Sequence, residues 1–199
     1  MRNEEDFNFM SHKSSEDINN FRKIVTECVL ATDLAKSMTW LAAAMISLSN
    51  SNNKGDNTTS AGVTPVTRRA TVTKVGVAGD AAERKLLLMQ LAIKCADVSH
   101  PTRNVKLHLE WSNRICEEFF SQGDLERERG VKVSPLCDRN IPKSTYPQGQ
   151  IGFINFVSKP VFLLLSQVCS SVREEDKPWL TYMDSNVQYW EEKRKLEMI

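Results

Sequence analysis

Apolar residues recurring at helical spacing limit what this chain can become. They fall at Ile18, Phe21, Val25, Cys28 and Val29 and continue through Leu34, Met38, Leu41 and Met45. Steps of three and four residues put them on one face, so the pattern predicts a single helix of about thirty residues. Ser14 and Ser15 stand where it would start, and Glu16 and Asp17 suit the positive end of its dipole. A second helix is expected from about 81 to 96, apolar on most faces through Leu86, Leu87, Leu88, Met89, Leu91 and Ile93, and stopped by Pro101. A third runs from about 105 to 121, with Leu107, Trp111, Ile115 and Phe119 on one stripe. Residues 134–148 hold Pro135, Pro142 and Pro147 and read as a loop. A fourth helix starts near Gly149, kinked at Pro160, and the last starts at Pro178 and carries Trp179, Met183, Val187 and Trp190. No segment alternates with the period of a strand, so the fold class is all-α.

The stretch 49–79 differs. It is rich in Ser, Asn, Thr, Gly and Val and has no Leu, Ile or aromatic residue. With little to bury, it reads as a long disordered insertion. Within it, Arg68-Arg69-Ala70-Thr71 fits a basophilic kinase site at Thr71, or is a chance basic pair.

Composition removes several classes of function. A formal charge of +1, from 26 Lys and Arg against 25 Asp and Glu, leaves no basic excess for nucleic acid. Its longest apolar runs, 86–93 and 161–165, fall short of a membrane span, and Lys159-Pro160 breaks the region before the second. The five cysteines are scattered singly, as in a reduced, cytoplasmic protein.

Three clusters could carry chemistry. Asp97 ends an apolar helix, where a buried carboxylate must be paired or bound to metal; otherwise it is a helix-end group held by an Arg or a backbone amide. Asp33 sits in mid-helix among apolar neighbours, either functional or on a solvated face. Gln150 and Phe153, three apart on a helix, can present an amide and a ring together, suited to the edge and face of a purine. The bland alternative puts Phe153 in the core and Gln150 on the surface. The three histidines, His12, His100 and His108, cannot by themselves make a histidine-rich metal site in any obvious geometry.

Taken in order, five motifs are more specific. They are Leu30-Ala31-Thr32-Asp33, Cys95-Ala96-Asp97-Val98-Ser99-His100-Pro101, Glu117-Glu118-Phe119-Phe120 with Gln122-Gly123-Asp124, Ser134-Pro135-Leu136-Cys137-Asp138-Arg139, and Gln150-Ile151-Gly152-Phe153-Ile154. This series resembles the C-terminal part of a class I 3′,5′-cyclic nucleotide phosphodiesterase catalytic domain, nearest in form to the calmodulin-regulated subfamily. The likeness runs from about Asp6 to Lys193, so 1–199 is read as one partial catalytic domain with the insertion at 49–79.

The resemblance implies hydrolysis of the 3′ phosphoester of cAMP or cGMP at two divalent ions, Zn²⁺ and Mg²⁺ or Mn²⁺, which clamp the phosphate and activate a bridging water. It implies Asp97 as a direct metal ligand and Asp33 as a ligand through water. Gln150 would hydrogen-bond the purine between Phe153 and Ile115, with Trp111, Phe119 and Leu136 on the walls. His100 stands where cAMP-selective members have asparagine, and His108 where tyrosine is common. Two upstream histidine motifs are not in this sequence, and the acid histidine is among what they supply. Ser37 replaces a usual histidine. The 199-residue chain alone is therefore expected to be inactive and to expose apolar surface, as part of a longer enzyme. The alternative is a truncated relative acting as a binding or interaction module.

Overall fold

A computed structural model describes residues 9–49, 81–140, 142, 145–170, 173 and 177–197. The chain divides into two compact units, residues 1–93 and 94–199. Most of the insertion predicted at 49–79, Thr71 included, lies outside the described residues.

In the first unit, α1 spans Ser15–Leu30 and α2 spans Ser37–Ser49, joined by a 3₁₀ turn at Leu34–Lys36. Ser14 caps α1 by accepting from the Asp17 N–H at 3.1 Å. The expected single helix is thus two, bent by 76°. The cause is local: Thr32 turns its hydroxyl back to the Val29 carbonyl at 2.8 Å, and Asp33 caps the next turn by accepting from Ala35 N–H at 2.9 Å. Both side chains compete with helical bonding, so the apolar period continues across a break it does not register. Along α2, Ser37, Leu41, Ala44 and Leu48 are buried, whereas no residue of α1 is. Gln90 on α3 (Ala81–Asp97) accepts from Trp40 Nε1 at 2.8 Å and donates to the Glu27 carbonyl at 3.3 Å.

The second unit takes the last turn of α3, then α4 (Val105–Glu128), α5 (Thr145–Phe153), α6 (Lys159–Val168) and α7 (Trp179–Glu197). Helix α4 is longer than expected. Asn104 caps its start, accepting from Leu107 N–H at 3.1 Å, and its last turns carry Glu126 and Arg127, whose partners lie in the following loop. Helix α5 begins at Thr145, inside the segment read as loop, because Pro147 falls in its first turn, where no N–H is needed. Ahead of Pro160 the helix widens to a π turn at Ile154–Ser158 and then continues as α6.

Thr145–Val168 is, among the described residues, the one continuous helical run long and apolar enough by length and composition to cross a bilayer, with hydropathy 1.5, and the bent α1–α2 pair passes the same test jointly. Its inner face behaves as a core helix: Ile151, Ile154, Val161, Phe162 and Leu164 are buried, as are Met183 and Trp190 of α7. Buried polar groups tie the helices together. Asn186 on α7 donates to the carbonyls of Pro101 and Arg103 at 2.8 and 2.9 Å, and Ser158 donates to the Val98 carbonyl at 3.2 Å.

Candidate functional site

A cavity of about 150 Å³ lies within the second unit. The stripe of α4 supplies Ile115, Cys116, Phe119 and Phe120; α5 supplies Tyr146, Gly149, Gln150 and Phe153; His100 and Leu136 close it. Spacings of three and four on both helices aim these residues the same way. Gln150 Oε1 accepts from the buried Ser112 hydroxyl at 3.2 Å, which holds its amide at the cavity edge. Phe153 stacks on His100, centroids 5.2 Å apart at 15°. Leu136 reaches its place in a left-handed conformation, φ 67°, which costs a residue with a Cβ roughly 1 kcal/mol.

Behind Phe153 the rings continue inward. His100 stacks on His108 at 5.0 Å, with their Nδ1 atoms 3.0 Å apart. Trp190 Nε1–H donates to His108 Nε2 at 2.7 Å. An indole N–H can only donate, so the His108 proton must sit on Nδ1 and be given to His100 Nδ1. His100 then carries its own proton on Nε2. Burial takes the pKa of His100 down to about 4, with His108 adding to the fall. Burial likewise takes His108 down to about 4, against a hydrogen bond to the His100 backbone that raises it. Both rings are therefore neutral at pH 7.

The residues singled out from sequence are thus only partly gathered. His100, Ile115, Phe119, Leu136, Gln150 and Phe153 share the cavity. His108 is fully buried behind it, and Trp111 is exposed on α4 beside the Arg114 guanidinium. Asp97 is exposed at the end of α3 in the second unit, whereas Asp33 belongs to the first and caps a turn rather than standing in mid-helix. Among the described residues no three His, Cys, Asp or Glu side chains are placed to hold a metal ion. They do not by themselves fit a metal centre. Ser112, Cys116, Phe120, Tyr146 and Trp190 were missed. The first three continue the α4 stripe at readable spacing; Tyr146 was hidden by reading 134–148 as a loop.

The sequence model of the 3′,5′-cyclic nucleotide phosphodiesterase family matches residues 1–176. The chain belongs to that family. It is 32% identical over 154 residues to a probable 3′,5′-cyclic-AMP phosphodiesterase of Caenorhabditis elegans, covering 77% of this chain and 20% of that protein. A dual-specificity calcium/calmodulin-dependent 3′,5′-cyclic nucleotide phosphodiesterase of Drosophila melanogaster is 32% identical over 165 residues, 83% of this chain and 16% of the relative. Among solved structures, LmjPDEB1 in complex with IBMX superposes with a TM-score of 0.65 at 28% identity, over 90% of this chain and 45% of that one. The phosphodiesterase domain of Salpingoeca rosetta rhodopsin phosphodiesterase, at 22% identity, shares the fold with a TM-score of 0.70, over 94% of this chain and 49% of its own. This phosphodiesterase chain therefore spans a fraction of its relatives' length, and its fold is that of part of their catalytic domain.

Proposed function

We propose that this chain forms the base-binding part of a phosphodiesterase that hydrolyses the 3′ phosphoester of cAMP or cGMP. Water adds to phosphorus, the bond to the 3′ oxygen breaks, and a 5′-monophosphate leaves. The observation that carries this reading is the cavity in which an anchored amide, Gln150, stands beside the backed ring of Phe153. A purine seated there would lie flat on Phe153 with Ile115 opposite and its edge on Gln150. Stacking and a directed amide contact together orient the base, and through it the phosphate. Asp97, exposed at the end of α3, would offer one carboxylate toward metal. The remaining ligands and the acid would come from another segment, so no hydrolytic step is assigned to this chain alone.

Binding tests the reading directly. Isothermal titration of IBMX, cAMP and cGMP should show saturable binding that Phe153→Ala and Gln150→Ala each weaken at least about tenfold, the loss of roughly 1.4 kcal/mol. Binding indifferent to both substitutions would sink it. Turnover by the 199-residue chain with Mg²⁺ or Mn²⁺, abolished by Asp97→Ala, would show instead that the chain holds a complete centre.

A further inference from the structure

Gly123 on α4 is buried at a point where loop 131–140 meets the helix. A Cβ there would overlap the Cys137 carbonyl oxygen and stand 2.7 Å from its carbon. The loop backbone thus rests directly on α4, an approach open only to glycine. Polar contacts fasten it on both sides. The Glu126 carboxylate accepts from Ser134 N–H at 2.6 Å and from its hydroxyl at 2.7 Å. Arg139 donates to Asp124 at 2.7 Å and to Glu117 at 3.0 Å, and Arg127 donates to Asp138 at 2.8 Å.

What this fastening holds is a cavity wall. Leu136 stands next to the contact point, and its δ2 methyl lies 3.8 Å from where a Cβ on Gly149 would be, so it bridges from the α4 side to α5. The Arg139 guanidinium also stands 5.0 Å from the ring centre of Phe120, a second wall residue.

We propose that Gly123 and Arg139 are positioning residues that set the width of the cavity through Leu136 and Phe120, and so select a flat ring over a bulky one. The proposal rests on the reading of this cavity as the base site. Exposed ion pairs hold little energy singly, so the glycine contact fixes the depth of the loop and the pairs resist its rotation. A Cβ at 123 would drive the loop outward by on the order of 1 Å to recover van der Waals separation, carrying Leu136 with it.

The test compares the native full chain with Gly123→Ala and Arg139→Gln. Calorimetry reads the affinity for IBMX and for a xanthine bearing a benzyl group; hydrogen exchange reads the Ser134 and Cys137 amides. Gly123→Ala should weaken IBMX about tenfold while the bulkier xanthine holds or gains, with both loop amides exchanging faster and α7 still protected. Arg139→Gln should shift the ratio in the same direction by less. Equal losses for both ligands, or loop amides unchanged, would overturn the proposal. If Gly123→Ala does not fold, an unchanged ratio in Arg139→Gln overturns it equally. If the native chain binds neither xanthine, the base-site reading fails, and the exchange rates in the two variants still decide whether the clasp exists.

Discussion

Helices α1 and α7 are of similar length and both carry apolar residues at helical spacing, yet they use them in opposite ways. α7 buries Met183, Asn186 and Trp190; α1 buries nothing, leaving Phe21, Ile24, Val25, Val29 and Leu30 exposed. The second unit also encloses polar groups, His108, Ser112, Ser158 and Asn186, each with a hydrogen-bonding partner. Apolar periodicity thus announces a surface that seeks cover, and only buried polar groups with matched partners show that the cover has been found. A contiguous exposed apolar face such as that of α1 is the signature of a surface made for contact.

The strongest way to break this contrast is to cut into the covered side. Trp190→Ala removes a buried ring that meets His108, Tyr146 and Tyr189 edge-on, and should cost about 3–5 kcal/mol in urea unfolding of the second unit. Trp190→Phe should cost less, but strands the His108 lone pair. Acid should act next. The two histidines ionise more readily unfolded than folded, so their contribution is complete above about pH 6.5 and is lost as pH falls toward 4. The loss should be on the order of 2 kcal/mol per histidine at pH 5, and His108→Gln should flatten that slope in urea titrations across pH. Ser14→Ala should remove about 1 kcal/mol of capping from α1, seen as faster amide exchange in its first turn alone. The smallest effect belongs to the exposed face: Phe21→Ser with Val29→Ser should leave unfolding energy within about 0.5 kcal/mol each while reducing self-association in sedimentation. A large stability loss there would mean that α1 is covered after all.

The sequence alone carried the all-α class, the starts of α1 and α7, and the pairing of Gln150 with Phe153, because spacing and capping residues act locally. It did not carry the break at Thr32-Asp33. A side chain there chooses between helix continuation and capping, and periodicity is silent on that choice. Nor did it carry Trp190: its role depends on a hydrogen bond to a residue far along the chain. Leu136 could be named from the family motif, but its left-handed backbone and the seat of the next residue on Gly123 are features that no spacing rule encodes.

The wide turn at Ile154–Ser158 has a consequence for how this segment tolerates change. A π turn holds one residue more than the α turn it replaces, and each helical residue rotates the chain by about 100°. Deleting Phe156, the solvent-facing member of that turn, would leave an ordinary helix of nearly the same length. Because the wide turn fits its extra residue into about one revolution, Gln150 and Phe153 would keep nearly the same phase against Val161 and Leu164. The turn therefore works as slack in the rod. It stores one residue without rotating the cavity side away from the core side, and a single-codon deletion there should be milder than one in the regular turns on either side.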